Sequence, residues 1–388
     1  MSAAWTLGAV GDVFLDRPRP QEAFTRSQPI FKAVDVLFGN CEGVFTDRRR
    51  SVPTASGFRL ISRRSNAEPL GPAGFHVMSC ANNHTVDSGH EGLADTLGVL
   101  QEQGILTPGA GETLAAARSP AILERNGLKI AVLAYTSVYP AGYEARDRTP
   151  GVAAMRVHAH YFVHPEAFGR VEPGADPQIQ TFPFPEDMRV FVAAIEAAKA
   201  SADVVIVSFH WGKSTRPALL MDYERSFGHA AIEAGCDVVL GHHHHLLRGI
   251  ELYRGRPIFY GLGHFAFDMP GLEAVLSEAQ IAKLKAFGDY AIYPREGYPL
   301  LPFHPDARMT MIAVCSFEGS GVTGASFVPC LIDPDNVPVP LDLDGEAGRR
   351  VVDYMRTITE QAALPTRYTP DGPSVGGYRS VRAVSAPD

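Results

Sequence analysis

The 388-residue chain lacks most of the features that would assign it to a class at a glance. Its cysteines, Cys41, Cys80, Cys236, Cys315 and Cys330, are five, odd in number and scattered, and no C-x-x-C occurs. A disulfide framework and a cysteine-type zinc site are therefore not expected, and buried free thiols are. No run of about 18 apolar residues exists, so no membrane-spanning helix is expected. Met1 to Val10 lack a basic stretch followed by an apolar one, the mark of a leader, and a cytoplasmic location is the expectation. Basic charge is not in excess. Lys and Arg number 35 against 43 Asp and Glu, for a net charge of -8. A nucleic-acid partner would need a basic face and is not expected. An anionic small molecule needs only a local basic pocket and stays compatible. There is no internal repeat.

What is present is the composition of a globular protein, 45% hydrophobic and 20% charged. The length suffices for a sizeable core. Short apolar runs recur at Trp5–Val10, Val34–Phe38, Phe75–Ser79, Lys129–Tyr135, Val204–Phe209, Val238–Leu240 and Ile258–Tyr260. Many are rich in Val and Ile, as buried strands are. Between them lie helix-like segments. Glu91–Gln103 carries Leu93, Leu97 and Leu100 at helical spacing and stops at Gly104. Pro185–Ala200 and Tyr223–Ala234 read the same way. Asn126-Gly127 and Arg254-Gly255 mark hairpins. Strands alternating with helices predict an α/β sandwich with mixed sheets, in a single domain spanning residues 1–388. Two long connections interrupt the rhythm, at about 139–186 and 269–306, the second holding a helix-like Leu272–Phe287. Both read as lid-like insertions. The tail from Leu364 is rich in Pro, Gly and Ser and is expected to be loosely held.

The informative polar residues sit just after apolar runs. Asp12 follows Leu7–Val10. Asn40 and Glu42 follow Val36–Phe38. Asn82, Asn83 and His84 follow Phe75–Ala81. His210 follows Val204–Phe209, and the run His242, His243, His244 and His245 follows Val238–Gly241. In an open α/β sheet the carboxyl ends of the strands form the ligand-binding edge. Carboxylate, carboxamide and imidazole delivered to one edge suit a divalent ion such as Mn, Zn, Fe or Ni, one or two in number.

These stretches resemble the CapA family of bacterial capsule and poly-γ-glutamate biosynthesis proteins and, beyond it, the calcineurin-like metallophosphatase superfamily. The resemblance rests on Val10-Gly-Asp12, Leu37-Phe-Gly-Asn-Cys-Glu-Gly43, Ala81-Asn-Asn-His-Thr-Val-Asp-Ser-Gly89, Ser208-Phe-His-Trp-Gly212, Val239-Leu-Gly-His-His-His-His-Leu246 and Arg256-Pro-Ile-Phe-Tyr-Gly-Leu-Gly-His-Phe265. It implies a four-layer α/β/β/α sandwich, metallophosphatase-like, with metal at the strand ends. It implies Asp12, Glu42, Asn83, His210, His243 and His245 as metal ligands and His84 as general acid or transition-state stabiliser. Asn40, beside Glu42, falls to substrate contact. The superfamily's Asp-x-His has Phe14 in place of His here, which implies that one metal site is short of a ligand. His264 stands where the family has Asn, and is a candidate acid or extra ligand. Pro usually separates the last two histidines of the cluster. His244 replaces it, so the register of the cluster is open.

Several basic residues are candidates for holding an anion, since Arg pairs bidentately with carboxylate or phosphate. Lys213 and Arg216 are the nearest to the metal motifs. Arg48-Arg49-Arg50 and Arg63-Arg64 are more distant and also read as solvated loops. His158, His160 and His164 read as polar residues of the first insertion. The leading expectation is a soluble metal-dependent hydrolase of an amide or ester bond in an anionic, glutamyl-type small molecule or oligomer. A phosphoesterase and a non-enzymatic accessory of polymer synthesis are the alternatives. No membrane partner is expected, and a homo-oligomer is compatible.

Overall fold

A computed structural model describes residues 4–48, 58–162, 177–214, 216–269, 271–272 and 276–386. Two sheets face each other. The larger runs in the order Thr366–Thr369, Val381–Ser385, Gly321–Ile332, Met309–Glu318, Ala4–Phe14, Val36–Cys41, Val77–Ser79, with His264–Phe267 and Pro338–Pro340 pairing alongside. The smaller runs Ile250–Tyr253, Arg256–Phe259, Val238–His242, Val204–His210, Leu128–Thr136, Ala121–Arg125. Both mix parallel and antiparallel pairs.

The sequence of each central strand explains its place. In Val204–His210, Val204 and Ile206 face the other sheet, while Val205 and Val207 face helices. A strand covered on both sides is apolar on both faces, and this one is. Ala4–Phe14 sends Trp5, Leu7 and Ala9 into the same inter-sheet core and Val10 to the far side. There it meets Ile30, Leu70, Leu93 and Leu100 from the helical layer. Helices Pro185–Ser201 and Asp222–Glu233 cover the other flank through Phe191, Ile195, Phe227 and Ala231. The result is the α/β/β/α arrangement. Each fully buried Val, Leu or Ile contributes about 1.5–3 kcal/mol.

The predicted helices appear at Gly89–Gln101, Pro185–Ser201 and Asp222–Glu233. The hairpin at Asn126-Gly127 joins Ala121–Arg125 to Leu128–Thr136, with both turn residues at positive φ. Two expectations need correction. The tail beyond Leu364 is not loose. It returns as Thr366–Thr369 and Val381–Ser385, which extend the larger sheet, and Val381 and Ala383 point into the inter-sheet core. Pro370, Gly372, Pro373, Gly376 and Gly377 fall in the connection between those strands. The helix expected over Leu272–Phe287 runs Glu278–Ala286, opened by a Ser277–Gln280 capping box, and none of its residues is buried. Among the described residues no helix is long and apolar enough to cross a membrane. All five cysteines are buried and free.

Candidate metal centre

The chain's local conformation at Gly11 brings the first ligands together. Residues 4–9 of the first strand pair with Met309–Glu318, and the register then shifts so that Asp12 lies opposite both Asn40 and His264. Asp12 N–H donates to Gly263 O at 3.0 Å. A Cβ at Gly11 would lie 1.9 Å from that carbonyl, so only glycine allows the approach. In the smaller sheet His210 and His242 are register partners at the ends of their strands. The chain then turns sharply, with His243 at φ 94° and His245 at φ 56°. Non-glycine residues adopt such angles rarely and at a cost of about 1–3 kcal/mol, which the surroundings must sustain. The twist turns His244 away from its neighbours. His243 and His245 face the carboxylates, while His244 Nε2 lies 2.9 Å from Glu224 Oε1. Gly212, at φ 83°, makes room for that pair, since a Cβ there would meet His244 Nε2 at 2.1 Å.

Two groups of ligand atoms result, each lying within 4.8 Å of one another. One is Asp12, His245 and His264; the other is Glu42, His210 and His243. His245 joins them, with Nδ1 3.2 Å from Asp12 Oδ2 and Nε2 3.8 Å from Glu42 Oε1. Asn83 reaches the second group, its Oδ1 2.7 Å from His210 Nε2. The groups differ in access. Asp12, His245 and His264 are all buried, whereas His243 and Asn83 keep part of their surface exposed.

The electrostatics are those of a set built around a cation. Asp12 Oδ2, both Glu42 oxygens, both His264 nitrogens and the Nδ1 atoms of His243 and His245 are buried without a hydrogen-bond partner. Stranded polar atoms are costly, and this many in one place call for an ion. Burial raises the Asp12 carboxyl, but His242 and His245 outweigh it and hold it well below the usual range. Burial, and then the charge of Asp12, push Glu42 well above it. Burial keeps His210, His243 and His264 neutral, the form in which imidazole ligates metal. These residues fit a divalent ion or a pair of them.

His84 lies outside both ligand groups. Its Nδ1 sits 2.8 Å from Asp87 Oδ2, and Asp87 also accepts from Leu60 N–H at 2.8 Å and from the Tyr143 hydroxyl at 2.9 Å. Asp87 is fully buried. A ring held in this way presents Nε2 as its working nitrogen. Sequence reasoning missed both partners. Asp87 was legible three residues after His84 within the same motif, but nothing in the sequence pointed to Tyr143.

Other placements correct the sequence reading. Asn40 is buried and donates to Asp12 Oδ1 at 2.9 Å, so it orients a ligand and does not face substrate. His264, from the strand beside Asp12, lies with Asp12 and His245 in one candidate ligand group. His242 is buried against the Phe38 ring, with Nδ1 3.5 Å from Asp12 Oδ1. Lys213 and Arg216 have exposed side chains, and their carbonyls accept from buried Arg248 at 3.0 and 2.7 Å. Arg48 pairs with Asp95 at 2.9 Å, and Arg64 pairs with Glu102, so neither clamps the site. Arg63 is exposed. Arg49, Arg50 and His164 lie outside the described residues. His158 and His160 stand against Phe184 and Phe182 on an exposed hairpin.

An α/β/β/α sandwich with histidines and carboxylates gathered at its strand ends defines the class of protein. Residues 6–269 match the family described as bacterial capsule synthesis protein PGA_cap, and the chain belongs to that family. It is 32% identical over 270 residues to the PGA biosynthesis protein CapA of Bacillus subtilis, covering 67% of this chain and 62% of that one. It is 36% identical over 265 residues to a probable polyglutamine synthesis accessory protein of Mycobacterium tuberculosis, covering 65% and 61%. A capsule biosynthesis protein CapA of Bacillus anthracis is 26% identical over 275 residues, covering 68% and 60%. The matched region therefore spans about three fifths of these relatives' length.

Proposed function

We propose that the protein is a metal-dependent hydrolase that cleaves an amide or ester bond of an anionic, glutamyl-type substrate. The observation that carries this is the pair of ligand groups joined by His245, with their buried oxygen and nitrogen atoms left without partners. A divalent ion at such a site supplies Lewis-acid polarisation of a substrate oxygen. The protein's own residues do the rest. Asp12, His245 and His264 would hold one ion, and Glu42, Asn83, His210 and His243 the other. Asn40 fixes the Asp12 carboxylate. His84, oriented by Asp87 and Tyr143, delivers a proton to the leaving group through Nε2. The exposed cations Lys213 and Arg216, on the loop after His210, favour an anionic substrate by charge. The glutamyl class comes from the names of the relatives.

Metal content and turnover, measured together on wild type and His243→Ala, test this reading. Near-stoichiometric metal and hydrolysis of γ-glutamyl amides or esters are expected in wild type, and in the variant the loss of hydrolysis together with the metal of the Glu42 group. Full hydrolysis in the variant would overturn it. Turnover of aryl phosphates with none of amides or esters would assign a phosphoesterase instead. The accessory name carried by the Mycobacterium relative favours a second reading, as a non-enzymatic component of polymer synthesis. Polyglutamate binding without metal and without hydrolysis would establish it.

A further inference from the structure

We infer that the two metal positions are unequal, one sealed so that its ion is resident and the other open so that its ion exchanges. The inference rests on the metal reading above. Its ground is Phe303, delivered by the second insertion. The Phe303 ring centroid lies 4.3 Å from that of His264 and 4.9 Å from that of His245, covering two of the three ligands of the Asp12 group. Phe267 stacks on the face of His264 at 4.7 Å, with the Phe303 ring against it at a steep angle. His264 is thereby enclosed by aromatic rings and is fully buried, as is Asp12. Among the described residues no phenylalanine ring stands against the Glu42 group, whose His210 and His243 rings meet each other, and Asn83 and His243 keep part of their surface exposed.

The cover is tied down from within its own insertion. The Tyr290 hydroxyl donates to Asp306 Oδ2 at 2.6 Å, and the Tyr290 ring stacks on His304 at 3.9 Å, next to Phe303. Tyr293 N–H donates to Pro302 O at 3.0 Å on its other side, and Met269 N–H donates to Leu300 O at 2.9 Å. An ion can leave the Asp12 group only when this segment opens, a local event with its own free-energy cost. An ion in the Glu42 group leaves without it. Substrate therefore meets the exchangeable position, and the resident ion stays for as long as residues 290–306 hold Phe303 in place.

Protein loaded with two equivalents of Zn²⁺ is challenged with EDTA, and the metal retained after desalting is measured against time. Two phases are expected in wild type, the second slower by about tenfold or more because it waits on opening. His264→Ala removes the slow phase and His243→Ala the fast one. Phe303→Ala merges the slow phase with the fast. Tyr290→Phe keeps the covering ring and the stack but loosens the tie, and speeds the slow phase by a smaller factor. Two equivalents leaving wild type at one rate would overturn the inference while leaving the metal reading intact. A slow phase unchanged in both the Phe303 and the Tyr290 variants would do the same. Zn²⁺ that never binds would overturn the metal reading and this inference with it.

Discussion

The two insertions in the sandwich read alike in sequence, as long connections rich in Pro and aromatics, yet they serve the ligand cluster in different ways. The second turns inward, placing Phe303 on His245 and His264 and burying Leu301 and Phe303 in the helix-side core. Among its described residues, the first meets the site through Tyr143, near its start, which donates to Asp87. It then runs outward as the hairpin Val157–Phe162 with Gln178–Pro183, where Tyr161, Ile179 and Phe182 are exposed. The difference teaches that length and composition mark an insertion, but its function lies in the few side chains that return to the core. A single buried ring makes one insertion a cover, and a single hydroxyl makes the other a support.

The sharpest break in that comparison is Phe303→Ala. Removing a buried phenyl ring costs about 3–5 kcal/mol. Denaturation in the presence of chelator should show a loss of that size, so that metal affinity does not enter. A loss below about 1 kcal/mol, the size of a surface change, would mean that the ring covers the site without being packed there.

Tyr143→Phe comes next. It removes one hydrogen bond to a buried carboxylate, which retains Leu60 N–H and His84. Hydrogen bonds to charged groups contribute about 1.5–3 kcal/mol, and the loss should fall there or below. The variant should also lower kcat with KM nearly unchanged, because Tyr143 acts on His84 only through Asp87. An altered KM with unchanged kcat would place Tyr143 on substrate and not behind the acid.

Much of the centre could be read from the sequence because its ligands follow strand ends, and strand ends are visible as apolar runs that stop. The strand ends single out Asp12, Asn40, Glu42, Asn82–His84, His210 and the run His242–His245, the family resemblance narrows the ligands to Asp12, Glu42, Asn83, His210, His243 and His245, and these come together in space. The register within His242–His245 was not legible, because it depends on two left-handed backbone turns that histidine rarely makes. Tyr143 and Phe303 were hidden for a different reason. Their partners lie 56 residues away in the case of Asp87, and on other strands in the case of Phe303, so no local pattern announces them. The tail was misread because Pro, Gly and Ser dominate its composition, while the alternation of Val381 and Ala383 that makes it a strand spans only a few residues.

The smallest effect belongs to the root of the first insertion, and it sets how independent the exposed hairpin is. Arg156, just before the hairpin, donates through Nε and Nη2 to Asp187 at 3.0 and 2.8 Å, and its backbone N–H does so at 2.7 Å. Asp187 lies in the first turn of helix Pro185–Ser201, where the helix dipole also favours a negative charge. Burial raises the Asp187 carboxyl, but Arg156 outweighs it and holds the group below its ordinary value. The folded state therefore binds that proton less readily than the unfolded chain does. The resulting stability is present above the unfolded value, near pH 4, and is lost as pH falls through the folded one. The Arg156 side chain is 53% exposed, so solvent screens the pair, and about 0.2–1 kcal/mol is expected. Asp187→Asn should flatten the stability curve by that amount between about pH 5 and about pH 3, and leave metal retention untouched. A change in Zn²⁺ release on the same substitution would show that the first insertion, like the second, governs access to the centre.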